Sequence, residues 1–251
     1  MKNWFKFTFN TVFLGALILL IALNVVGALI EDALVMKTVM PLFIPVYLIF
    51  FFIRYTSLGI AFISFLLFSF LGDIAPMLFS EDALIEGSSV LYILSYICLI
   101  VMVAPKFKVL EFDKLIGVYL LVVFVISLYF LFTIYSMLKV IIPNSTEVHL
   151  YGVKSITLII LTFVSFGVYL NRQTKQSVLF LTAVVFFGLS VILSYINLYY
   201  VYNWSLELLK RILYALALYV MFKYVMSREV ILKKPKEIKL EESYSSDTVL
   251  S

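Results

Sequence analysis

Long apolar runs dominate the chain, and its polar positions gather in the short joints between them. A helix needs about 20 apolar residues to cross a bilayer. Runs of that length predict eight spans, at roughly 8–30, 33–53, 57–79, 84–104, 115–138, 148–170, 177–199 and 208–227. Inside each run the apolar residues are continuous and do not alternate, which excludes an outer-membrane barrel. The expected fold is therefore all-α: a polytopic bundle of eight transmembrane helices. The first run follows Lys2 and Lys6, as a signal peptide would, but it is too long for one and flows straight into the second. It reads as a retained helix.

The joints alternate in charge. Acids occupy the odd ones: Glu31 and Asp32, then Glu81, Asp82 and Glu86, then Glu147, then Glu207. Bases occupy the even ones: Arg54, then Lys106, Lys108 and Lys114, then Arg172 and Lys175. Both ends are basic too, so the positive-inside rule predicts two cytoplasmic termini, which an even number of spans requires. Residues 1–227 form the expected membrane domain. The stretch 228–251, rich in Lys, Glu and Ser, lacks an apolar period and is expected to be a disordered, charged cytoplasmic tail.

Composition narrows the function classes. With 64% hydrophobic and 14% charged residues there is too little polar surface for a water-soluble globule. The expected location is a bacterial inner membrane. Nineteen basic and 15 acidic residues give a net charge of +4, and the bases sit at membrane edges, so nucleic acid is not an expected partner. The chain has a single cysteine, Cys98, and a single histidine, His149, so it has no internal disulfide and no Cys or His metal cluster. No motif calls for a cofactor.

Charge at membrane depth is costly and marks function or a structural pair, which singles out Lys37, Asp73, Lys154, Lys210 and Arg211. In the predicted topology Lys37 lies about 6 Å and Asp73 about 9 Å below the outer edge, at matching depths. Lys37, Pro41 and Pro45 share one face of span two, and Ser69 and Asp73 one face of span three, with Gly72 beside them. Two readings of this notch stay open. Lys37 and Asp73 either form a buried ion pair holding two helices together, or Asp73 is an acid–base group with Lys37 near a substrate phosphate. In the second half Lys154, the face Ser190, Ser194 and Asn197, and Tyr214 form a looser counterpart. Lys210 and Arg211 are expected to snorkel to the outer headgroups, and His149, at a span edge, to be structural.

The segment Lys37-Thr38-Val39-Met40-Pro41-Leu42, then Ser69-Phe70-Leu71-Gly72-Asp73 and Gly87, resembles the YhhN-like family of lysoplasmalogenases. Ser190, Asn197, Tyr214 and Ala217 match that family's later positions. Thr38, Tyr96, Val191 and Leu218 stand where the family carries proline, histidine, aspartate and glutamine. The resemblance implies eight spans and a membrane-embedded hydrolase that cleaves the vinyl ether of a lysolipid to release a fatty aldehyde. It implies Asp73 and Lys37 as catalytic residues, with Ser69, Gly72, Tyr96, Ser190, Asn197 and Tyr214 lining the substrate site.

The chemistry itself asks for little. Enol-ether hydrolysis begins with protonation of a carbon, so one well-placed acid is the minimum, and Asp73 is the carboxylate well inside a span. The competing class is a non-catalytic lipid-binding or transport protein that uses the same cavity, with the two halves facing each other as repeats. In either class the expected partner is a lysolipid or another membrane lipid.

Overall fold

A computed structural model describes the backbone over residues 2–30, 38–53, 58–78, 81–107, 114–142, 144–201 and 203–247. Among these residues helix is the only regular structure, joined by short turns. The main helices are α1 (Lys2–Ile30), α2 (Phe43–Phe52), α3 (Ile60–Asp73), α4 (Glu81–Val103), α5 (Lys114–Ile141), α6 (Ser145–Arg172), α7 (Lys175–Tyr199) and α8 (Trp204–Asp247). Four stretches are long and apolar enough to cross a membrane: Ile85–Lys106, Gly117–Ile141, Ser145–Arg172 and Lys175–Tyr199. The apolar stretches Phe13–Gly27, Met40–Phe52 and Ile60–Asp73 are shorter.

Proline explains where the shorter helices begin and end. Pro41 lies in a 3₁₀ turn, Met40–Leu42, and Pro45 falls in the first turn of α2, where a missing N–H leaves no intrahelical bond unmade. The third predicted span, 57–79, is not one helix. It turns at Ile74 after α3, and a one-turn helix, Ala75–Leu78, follows. Pro76 has no N–H to offer the Gly72 carbonyl, so the ladder stops there. The break leaves Asp73 as the last residue of α3.

Two joints are fixed by side chains. Asn144 caps α6 by accepting from the Thr146 N–H at 3.0 Å. Thr174 and Ser177 form a reciprocal capping box on α7, which lets α6 reverse into α7 through Gln173, whose φ of 45° is left-handed. At the far end α8 continues as helix to Asp247, through the stretch whose composition predicts disorder. Extension from an existing helix avoids the nucleation cost, and the Lys, Glu and Leu around Pro235 are good helix formers, although Pro235 itself removes one bond of the ladder.

The core lies around α8, which packs along α7 and also meets α1 and α2. The α3–α4 pair and the α4–α6 contact close the other side. Phe222 sits at the centre, with the rings of Phe13, Tyr47, Phe51 and Phe62 at centroid distances of 6.3, 5.5, 6.1 and 5.3 Å. Between helices in lipid the hydrophobic drive is weak and packing does most of the work, which suits such interleaved rings. By contrast α5 rests chiefly on α6 and leaves most of its apolar face uncovered.

Candidate functional site

Asp73 is 4% exposed, and hydroxyls from two different helices meet on its carboxyl group. Tyr92 of α4 donates to Oδ1 at 2.6 Å, and Tyr214 of α8 donates to Oδ2 at 2.8 Å. Gly72 makes the first contact possible. A Cβ there would stand 3.1 Å from Cζ of the Tyr92 ring, so only glycine lets the ring lie against α3 and bring its hydroxyl to the next residue. Each such bond to a charged acceptor is worth about 1.5–3 kcal/mol, enough to hold a carboxyl group away from water.

The polar cluster extends on both sides. The Lys154 ammonium of α6 lies 5.0 Å from the Tyr92 ring centroid and 5.4 Å from that of Tyr195 of α7. Cation–π contacts of this kind give about 2 kcal/mol when desolvated. One ring of Tyr92 thus touches a carboxylate through its hydroxyl and a cation through its face. Nearer the start of α8, Glu207 accepts from Lys210 at 2.6 Å and from Arg211 Nε at 2.9 Å. Arg211 also donates to Oδ1 of Asn24 on α1 at 3.3 Å. The positive charges of Lys210 and Arg211 act on Asp73 as well.

The structure brings some predicted site residues together and separates others. Tyr214 contacts Asp73 directly. Ser69 is 1% exposed, one turn back on α3, and Gly72 seats the Tyr92 ring. Tyr96 is buried one turn beyond Tyr92, with ring centroids 6.4 Å apart, and it packs on Phe187. Ser190 and Asn197 serve the α7–α8 contact: Ser190 donates to the Lys210 carbonyl at 3.0 Å, and Asn197 donates to Glu207 at 3.3 Å while accepting from the Asn203 N–H at 2.8 Å. Lys37 lies outside the described residues, and so does its predicted meeting with Asp73.

Three outcomes differ from the sequence reading or were missed by it. Arg211, expected to snorkel outward, is 8% exposed and turned inward, because Glu207 one turn earlier and Asn24 on α1 supply acceptors. Tyr92 was not singled out, although Gly72 next to Asp73 and a Tyr pair at i, i+4 were visible signals. Asn24, the buried polar residue of α1, was missed too. His149 holds the Ser145 carbonyl at 2.6 Å through Nδ1 and has an edge contact with Tyr135, a local role on α6.

An apolar groove of about 540 Å³ opens among α5, α6 and α7. Its polar wall carries Tyr151, Ser155 and Tyr195, and Tyr195 is the ring that also carries Lys154. Gly188 lines it with open space where a Cβ would be. Among the described residues no three His, Cys, Asp or Glu side chains come together as a metal site would require. No protein family model, curated protein or solved structure matches the chain.

Proposed function

We propose that the protein is a multi-pass membrane hydrolase that cleaves the vinyl ether bond of a lysoplasmalogen-type lysolipid. The observation that carries this reading is the buried Asp73 carboxyl on which the hydroxyls of Tyr92 and Tyr214 converge. A phenol oxygen accepts as well as donates. When Asp73 holds a proton, one of the two contacts reverses, and that tyrosine can turn its own O–H outward. The cluster therefore suits the delivery of a proton and its later recovery.

The steps balance as follows. A proton from the Asp73 carboxyl, direct or relayed by a tyrosine, bonds to the vinyl carbon remote from the ether oxygen, using the π pair. Water adds to the oxocarbenium carbon and returns a proton to the Asp73 carboxylate. The hemiacetal then breaks its bond to the glycerol oxygen: its hydroxyl gives up a proton, the leaving oxygen takes one from the Asp73 carboxyl, and a fatty aldehyde remains. The chain needs no cofactor for this. The 540 Å³ groove is of a size that holds one small ligand, and so suits a single hydrocarbon tail; Asp73, Tyr92 and Tyr214 do not line it, and Lys154, which meets the rings of both Tyr92 and Tyr195, links the two places. Lys154, against the face of the Tyr195 ring, supplies positive charge for the headgroup, and Lys37 remains a proposed headgroup contact from the sequence alone.

The topology that goes with this reading has eight crossing helices, both termini in the cytoplasm of a bacterial inner membrane, and Asp73 in the outer half. The alternating joint charges support it, as does the resemblance to YhhN-like lysoplasmalogenases. A second reading, a non-catalytic lipid-binding or transport protein, is favoured by the same groove taken with an Asp73 whose two oxygens are already engaged. Purified protein given lysoplasmalogen and its saturated alkyl-ether analogue separates the two. Aldehyde from the vinyl ether alone supports hydrolysis; retention of both lipids with no aldehyde supports the second reading and ends the first.

A further inference from the structure

At the end of the bundle where α4 and α6 finish and α7 begins, a small cavity of about 70 Å³ lies between helices. Its polar lining includes Lys106, Arg172, Thr174, Gln176, Ser177 and Tyr224, and among the described residues no carboxylate lines it. Lys106 Nζ donates to the Tyr224 hydroxyl at 2.5 Å and lies 4.9 Å from that ring's centroid, so packing fixes where its charge sits. That bond uses one of the three donors of the ammonium. Thr174 and Ser177 spend their hydroxyls on the capping box and form a closed wall.

Gln176 gives the cavity its direction. Its Nε2 is buried and meets no hydrogen-bond partner among the described residues, an arrangement that costs stability unless an acceptor is supplied. The cavity thus combines two cations with an unmet donor, and it calls for a small anion with several acceptor oxygens. On the measure by which one water needs about 10–15 Å³, a cavity of about 70 Å³ holds several waters, room for one phosphate group. Basic pockets between helices on the cytoplasmic side are where anionic lipid headgroups bind, and in the predicted topology this end, which also carries Lys175, is the cytoplasmic one.

We propose that this cavity binds a phosphate group, with Lys106 and Arg172 supplying charge and Gln176 the waiting hydrogen bond. The site shares no residue with the Asp73 cluster and is independent of the hydrolase reading. It is tested on the full chain in phosphatidylcholine nanodiscs, following the unfolding midpoint while titrating short-chain phosphatidylglycerol or inorganic phosphate at constant ionic strength. A saturable rise is expected. Response to the lipid alone assigns the headgroup as the source, response to phosphate alone assigns the free ion, and response to both shows a site that takes the group from either.

Arg172→Gln should weaken the apparent affinity about tenfold, as loss of a charge-assisted contact does, while Lys175→Gln, a neighbouring base outside the lining, should leave it unchanged. Gln176→Leu removes the unmet donor, so it should raise the midpoint without ligand and reduce the ligand-induced gain. No saturable response to either probe overturns the proposal. So do equal responses of Arg172→Gln and Lys175→Gln, which would mean surface charge and not a site.

Discussion

The two sides of the bundle solve opposite problems. Around α8 the helices interlock through large rings, and the charged groups they bury have partners: Asp73 with two tyrosines, Glu207 with two cations, Arg211 with Glu207 and Asn24. On the other side α5 leans on α6, exposes residues such as Phe130 and Phe132, and leaves a groove. Buried charge needs close packing to hold its partners in place, whereas an apolar face can be left for lipid to cover. The polar chemistry accordingly sits in the tight half and the room for a hydrocarbon chain in the loose one. Lys154 and Tyr195 lie on the seam.

The largest effect that tests this contrast comes from removing a central ring. Phe222→Ala should lower stability in detergent by about 3–5 kcal/mol, since four neighbouring rings cannot all collapse into the hole. Phe130→Ala, on the loose side and 62% exposed, should change it by under about 0.5 kcal/mol. Similar losses from the two would erase the distinction.

Next comes the ion cluster at the start of α8. Glu207→Ala strands Lys210 and Arg211 and should cost about 3 kcal/mol. The wild type also carries a pH signature here. Burial by itself would raise the Glu207 carboxyl, but Lys210 and Arg211 outweigh burial and hold it below the ordinary range. A depressed folded value gives stability that is present above the unfolded value and is lost as pH falls through the folded one. Thermal unfolding in acid should therefore show a loss in wild type that Glu207→Gln lacks.

Gly72→Ala makes a finer test of the tight half. The added methyl meets the Tyr92 ring at 3.1 Å, so it should cost about 1–3 kcal/mol and move the hydroxyl off Asp73, lowering any turnover by more than it lowers stability. Smallest of all in stability is Gly188→Leu, whose Cβ meets nothing within 4 Å. The midpoint should hold while single-chain lipid binding falls, as measured by lipid retained on purification. Unchanged retention would show that the groove is not used.

Much of the helical layout was legible in the sequence because lipid allows few alternatives: long apolar runs must be helices, and four of the described stretches are long and apolar enough to cross a membrane. Asp73 stood out for the same reason, as a charge where charge is expensive. The partners were harder to read. Which tyrosine of the Tyr92 and Tyr96 pair would reach Asp73 depends on the rotation of α4 against α3, and Gly72 sets that by admitting one ring and not the other. Arg211 illustrates the same limit, since inward and outward rotamers cost little to tell apart until Glu207 and Asn24 are placed. The break after Asp73 could be anticipated from Pro76, yet an apolar pattern alone runs through it. The groove had no local signature at all, because it is made by what α5 fails to touch.

The most direct test of the central claim is the rate of aldehyde release from lysoplasmalogen by Asp73→Asn beside wild type, with unfolding midpoints measured on the same preparations. Asparagine keeps an acceptor for a tyrosine but has no carboxyl proton to transfer. The account predicts aldehyde from the wild type and a loss of at least about 10²-fold in a variant that remains folded. Equal rates from the two proteins would contradict it.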